Sequence, residues 1–188
     1  MPAPARISRD AVLDEAIALL AERGLEEVTL RAIATRLGVE APSLYRHVGG
    51  KPRLLAAMTL RLFRRQLDEI GERADWRDWL HAFGCKLWET QQIIPDCARL
   101  VLTTNFTRCE LAAMTDWVAA PLAASGIPTD LALKAHLSVQ ALVLGLGSLA
   151  DGPNADVLHQ SVPFAAIFRD SLAALIEGWV VQVEGKHG

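Results

Sequence analysis

An all-α fold is what this sequence predicts: a head of three short helices, a long connecting helix and a C-terminal helical bundle. Three observations carry that prediction. Apolar residues recur at three-and-four spacing along nearly the whole chain, the period of a helix with one buried face. Capping residues and glycines interrupt the pattern at helix-length intervals. Hydrophobic residues make up 51% and charged residues 22% of the 188 positions, enough apolar material for a core and too little charge for disorder.

The elements follow in order. Between Arg9 and Arg23, Val12, Leu13, Ala16, Ile17 and Leu20 share one face, with Ser8 placed to cap the start and Gly24 to end the helix. Thr29 can cap a second, short helix through Ile33 and Leu37 that Gly38 closes. A third begins at Pro42, whose fixed φ suits the first helical position, and stops at Gly49-Gly50. Pro52 opens a fourth, expected to run to about Glu72, with Leu55, Met58 and Leu62 on one face and Arg61, Arg64 and Arg65 facing away. Asp75 then caps a stripe of Trp76, Trp79, Leu80, Phe83 and Leu87, interrupted at Pro95. Further helices are expected over roughly 96–104, 108–124, 129–150 and 162–184, separated by the turn signals Gly126-Ile-Pro128 and Asp151-Gly-Pro-Asn154. The expected division is a head over 1–52 and a body over 53–188.

The head is basic and the body acidic. Residues 1–65 carry a formal charge of +4 and residues 66–188 a charge of −7. This points to a local surface for a polyanion. The most apolar run, Leu137 to Ala150, is broken by Ser138, Gln140 and Ser148, so no membrane span and no membrane partner are expected. Met1 to Arg6 contain no apolar segment of the kind a secretion signal needs, and the expected location is the cytoplasm. Cys85, Cys97 and Cys109 match neither a metal motif nor a disulfide framework and read as reduced thiols.

Residues 29–48, Thr-Leu-Arg-Ala-Ile-Ala-Thr-Arg-Leu-Gly-Val-Glu-Ala-Pro-Ser-Leu-Tyr-Arg-His-Val, have the length and punctuation of a helix-turn-helix. A first helix packed through Ile33 and Leu37 braces a second that is short enough for a major groove. Leu44 and Val48, four apart, anchor that second helix inward, leaving Ser43, Tyr45, Arg46 and His47 for DNA with Ala41 and Pro42 at its leading end. The hydroxyls of Ser43 and Tyr45 can bond phosphates, Arg46 can pair with guanine or phosphate, and Pro42 can touch a thymine methyl. Lys51 adds an ammonium at the next helix start, where backbone N–H groups also favour phosphate. An ordinary helical hairpin within a bundle satisfies the same spacing.

The stretch Leu-Gly-Val-Glu-Ala-Pro-Ser-Leu-Tyr-Arg-His-Val-Gly-Gly-Lys-Pro-Arg-Leu-Leu, ending at Leu55, resembles the DNA-binding signature of the tetracycline-repressor (TetR) family of bacterial transcriptional regulators. Its most specific parts are Leu44-Tyr45-x-His47-Val48 and Lys51-x-x-Leu54-Leu55, and the likeness covers residues 8–60. The resemblance implies an all-helical homodimer whose two heads read a palindromic operator on double-stranded DNA, and whose bodies each hold a small-molecule inducer. Arg31, Pro42, Ser43, Tyr45, His47 and Lys51 match positions the family uses on DNA. Ala41 stands where the tetracycline repressors have a polar base reader and Arg46 where they have an aromatic, so their operator does not carry over. In the family a ligand wedges the body helices apart and swings the fourth helix, a population shift between two states.

For a ligand site, the aromatic stripe with Trp88, Phe106 and Trp117 suits either core packing or an apolar or aromatic guest. The expected ligand-binding residues are Leu67, Phe83, Leu87, Val101, Thr104, Asn105, Trp117 and Gln140, with Thr103 also polar nearby. Capping and turn formation explain the threonines and Asn105 equally well. Leu67 and Val101 align with two histidines by which tetracycline repressors hold a magnesium–drug chelate, so that ligand is not expected. Small residues among the leucines of the last two long helices, including Gly145, Gly147 and Gly178, suit close packing and a dimer interface.

Other chemistry is set aside. Gly145-Leu-Gly147-Ser-Leu-Ala150 fits a dinucleotide fingerprint but lies in a helical pattern without the flanking strand. Asp78, His81 and Cys85 share a face without completing a metal site, Ser148 lacks a nucleophile elbow, and His136 lies in an apolar helix. No enzyme activity and no cofactor are expected. The reading is a ligand-responsive DNA-binding regulator, expected to repress; a DNA-binding protein without an effector, or a helical carrier or enzyme with an incidental basic head, are its alternatives.

Overall fold

The computed structural model describes residues 7–185, and the reading of Met1 to Arg6 lies outside the described residues. Ten helices and no strand form within that range: α1 (Arg9–Arg23), α2 (Leu30–Leu37), α3 (Ala41–Val48), α4 (Lys51–Ile70), α5 (Trp76–Ile93), α6 (Cys97–Thr103), α7 (Arg108–Ala124), α8 (Thr129–Ala150), α9 (Ala155–Ser161) and α10 (Phe164–Glu184). The caps explain several of these starts. Ser8 Oγ accepts from the Ala11 N–H and Thr29 Oγ1 from the Ala32 N–H, both at 3.1 Å. Thr107 and Glu110 form a reciprocal capping box that opens α7. Gly38, at φ 67 and ψ 36, takes the left-handed conformation needed to turn from α2 toward α3.

The chain folds as two units. The first holds residues up to Phe63 together with residues 93–106. Val12, Ala16, Leu20, Ile33, Leu44, Leu54 and Met58 build its core, joined by Ile94, Cys97 and Leu100. Each fully buried leucine or isoleucine contributes on the order of 1.5–3 kcal/mol of transfer free energy. Three polar links hold α6 and its flanks inside this unit. Asp96, at a left-handed φ of 58, accepts the Leu25 N–H at 2.8 Å. Arg99 pairs with Glu26, and the Thr59 and Thr104 hydroxyls meet at 3.2 Å. Gly24 sits against Asp96: at φ 80, a Cβ there would lie 3.0 Å from Asp96 Oδ2.

The second unit comprises residues 64–92 and 107 onward, with α8 packed on α7 and α10. Trp79 stacks on Phe83 at 5.5 Å, Phe83 meets the His136 ring at 4.5 Å, and Trp88 stacks on Phe168 at 4.8 Å. Gly84 and Gly147 are contact points. A Cβ on Gly84 would come within 2.8 Å of Leu172, and one on Gly147 within 1.6 Å of Gln91 Oε1.

Several expectations are corrected. The units divide after Phe63 rather than after residue 52, and α6 joins the head, because its apolar face completes the head core. α4 ends at Ile70, short of Glu72, where Gly71 adopts φ 65. Pro42 is the second residue of α3, which begins at Ala41. The expected 162–184 helix is α10 alone, preceded by the unforeseen α9. Arg61 does not face away: its guanidinium bridges Asp10 at 2.7 Å and Asp14 at 2.9 Å on α1, where i,i+4 spacing lets both carboxylates reach it. Lastly, α8 has the length and mean hydropathy, 1.3 over its best window, to cross a membrane, because its few polar residues are diluted across 22 positions. Only 44% of that window is buried within the chain.

Candidate nucleic-acid interface and body groove

In the head, burial of Leu44 (0% exposed) and Val48 (5%) pins α3 by one face and so decides which side chains point outward. Pro42, Tyr45 and Arg46 are exposed, whereas Ala41, Ser43 and His47 are half-buried. Tyr45 is 56% exposed, an unusual position for a tyrosine with no fold-stabilising task, and one that offers its hydroxyl outward. Ser43 is more occupied than its sequence position suggests, since its hydroxyl donates to the Glu40 carbonyl at 2.7 Å. Arg31 on α2 and Lys51 at the first position of α4 are exposed. Arg31, Arg46 and Lys51 make no ion pair among the described residues, so their charge is available to phosphate or base edges.

Neighbouring cations are committed elsewhere. Arg36 donates to Glu15 and, at 2.6 Å, to Glu22, which raises its own pKa and lowers that of the Glu22 carboxyl. Arg61 is bound to α1 as described. The head thus sorts these guanidinium groups into braces, Arg36 and Arg61, and outward-facing groups, Arg31 and Arg46. Sequence reasoning missed the positioning role of Asp96, Arg36 and Arg61, whose partners lie 14 to 71 residues away in the chain.

The second unit contains a surface groove of about 520 Å³. The end of α4 supplies Arg64, Leu67, Asp68 and, just beyond, Glu72; α5 supplies Trp79; α7 supplies Asp116, Trp117 and Pro121. The Arg64 guanidinium lies over the Trp117 ring, 5.5 Å from its centroid, and its Nε donates to Asp68 at 3.0 Å. Of the expected ligand residues, Leu67 and Trp117 line this groove. Phe83 and Leu87 are buried in the packing of the second unit, and Gln140 is half-buried on α8. Val101, Thr104 and Asn105 belong to the first unit, where Thr104 donates to the Leu100 carbonyl at 2.6 Å.

His136 is buried at 3% exposure, and desolvation pushes its pKa down to about 4 against the opposing effect of a Gln140 hydrogen bond. Cys85 lies 3.8 Å from His81 Nδ1, and burial raises its thiol pKa, leaving it a poor nucleophile. Among the described residues no three His, Cys, Asp or Glu side chains gather to hold a metal ion. Arg99 and Arg108 are both exposed, so neither is a buried counter-charge for an anionic guest.

A short, inwardly pinned helix carrying outward cations and braced by a second helix is the arrangement of a helix-turn-helix head. Residues 12–58 match the model of bacterial regulatory proteins of the tetR family. The chain is 42% identical over 64 residues to the class D tetracycline repressor protein of Escherichia coli, covering 34% of this chain and 29% of that protein. It is 29% identical over 139 residues to an HTH-type transcriptional regulator of Saccharopolyspora erythraea, covering 74% and 59% of the two chains. Among solved structures, a TetR variant from Acinetobacter baumannii AYE in complex with minocycline superposes with a TM-score of 0.76 at 25% identity, over 95% of this chain and 99% of that one. The likeness to the tetR family of bacterial regulatory proteins thus lies in residues 12–58, and over most of the chain the fold is similar to that of the TetR variant. The chain's matches span 29% and 59% of the two curated relatives' own lengths.

Proposed function

We propose that this protein is a ligand-responsive DNA-binding transcriptional regulator that represses from a palindromic operator in the cytoplasm and is released by a small molecule held in its body. The observation that carries the reading is the α3 surface: Tyr45 and Arg46 face outward because Leu44 and Val48 face inward, with Arg31 and Lys51 exposed nearby. Arg46 reads a base or grips phosphate, while Lys51, the first α4 amides and Tyr45 hold the backbone in register. Ala41, Pro42, Ser43 and His47 complete the contact surface.

A homodimer is part of the reading. α8 leaves Leu133, Leu137 and Leu149 exposed, and α10 leaves Ile167 and Val181, the last at 70%. Gly145 and Gly178 on the same two helices face open space. A second copy covering these faces would remove the apolar surface from water and explain a helix of membrane-like hydropathy without a membrane. The groove lined by Leu67 and Trp117 is the proposed effector site.

The test is selection from random DNA duplexes by the purified protein, with sequencing of what is retained. The expected result is a palindrome with half-sites about one helical turn apart, 10–10.5 base pairs. Retention of no preferred sequence by the folded protein at low salt would refute the reading.

A further inference from the structure

We infer that the body groove selects a flat aromatic cation, a molecule joining a delocalised positive charge to an apolar ring system; this rests on the groove being the effector site. Three features of the groove point the same way. Its volume of about 520 Å³ falls in the range of sites for small organic molecules. Its apolar surface includes two indole rings, Trp117 and the buried Trp79 that stacks on Phe83, beside Leu67, Ala120 and Pro121. Its charge is negative, three carboxylates against the single guanidinium of Arg64.

The arrangement of those charges is specific. Arg64 neutralises Asp68, whereas Glu72 and Asp116 make no ion pair among the described residues and border the same space. Arg64 also displays the chemistry the groove favours, because its planar cation already rests on the Trp117 ring. A ligand cation takes that place as Arg64 swings aside, still paired with Asp68, and Glu72 and Asp116 supply the counter-charge. A neutral ligand gains only the apolar contact, and an anion meets two unneutralised carboxylates. The exchange is reversible and forms no covalent bond.

Calorimetric titration of the full chain with 1-methylquinolinium, neutral quinoline and anionic 1-naphthoate tests the assignment. The cation is expected to bind about tenfold more tightly than quinoline, and naphthoate to bind most weakly. In the Glu72→Gln, Asp116→Asn double variant the cation's advantage should shrink to less than about threefold while quinoline affinity holds. Arg64→Gln, which removes the resident cation, should tighten 1-methylquinolinium and leave quinoline unchanged, a gain that a merely structural role would not produce. Equal or tighter binding of quinoline or naphthoate, or an advantage unmoved by the double variant, overturns the inference. Release of a selected operator is read separately. Cation binding without release upholds the groove's selectivity and refutes its role as the switch; release by a neutral or anionic molecule that displaces the cation from the groove refutes the selectivity and leaves ligand response standing.

Discussion

Removing the Asp96 carboxylate tests whether α6 is held in the head by one backbone hydrogen bond. Asp96 accepts the Leu25 N–H at 2.8 Å while itself in the left-handed region, and Leu25 is 6% exposed, so water does not readily replace the lost acceptor. A hydrogen bond to a charged group is worth about 1.5–3 kcal/mol, and an alanine at positive φ adds backbone strain of about 1 kcal/mol. Asp96→Ala should therefore cost about 2.5–4 kcal/mol. Asp96→Gly loses the same bond but relieves the strain, so its cost should be about 1–2 kcal/mol; Asp96→Asn keeps an acceptor and tolerates the backbone, and should cost about 1 kcal/mol or less. For a chain of this length the alanine change lowers the midpoint of the thermal transition by roughly 5–16 °C. Amide exchange at Leu25 supplies the local readout, which should accelerate in the order Asn, Gly, Ala. A glycine variant less stable than alanine, or an alanine variant whose Leu25 amide stays protected, would refute the reasoning.

Other outcomes follow from the same geometry. Operator binding should weaken steeply with salt, and Lys51→Ala should reduce the slope of log affinity against log salt by about 1 while leaving base preference intact, checked by titrations at several salt concentrations. His136, neutral in the fold with a pKa of about 4 against an ordinary 6.5, binds its proton only at lower pH than the unfolded chain does. Its contribution is therefore complete above pH 6.5 and is lost as pH falls toward 4, a change of about 3 kcal/mol that His136→Leu should flatten in denaturation curves across that window. Gly147→Ala should cost about 1–3 kcal/mol through collision with Gln91, and the added change Gln91→Ala should recover most of it in a double-mutant thermal melt.

Much of the head was legible before any coordinates. Ser8, Thr29, Gly38 and Gly49 mark helix ends by chemistry local to each position, and Leu44 with Val48 announce the buried face of α3 by spacing alone. The start and end of α7 and α8 were legible for the same reason. α9 was not, since seven residues between an Asp-Gly-Pro-Asn turn and Pro163 carry too few turns for a period to emerge, and none of them is buried. The assignment of α6 to the head was invisible because Asp96 and Arg99 find their partners more than 70 residues away. Within the groove, Leu67 and Trp117 could be named as apolar groups near a ligand, whereas Arg64, Glu72 and Asp116 read in sequence as a solvated surface; only folding brings them to one aromatic wall.

The membership of residues 93–106 in the head makes that head discontinuous in sequence, which bears on how such a protein can be recombined. A chimera cut once after the third or fourth helix would transplant the α3 surface without Ile94, Cys97 and Leu100, and would leave the transplanted core to accept the recipient's α6. A graft intended to move specificity between scaffolds must carry two segments, or must re-create on the recipient the Leu25–Asp96 and Glu26–Arg99 pairings. The exposed face of α3 is portable as a surface, but its foundation is shared property of two distant stretches of chain.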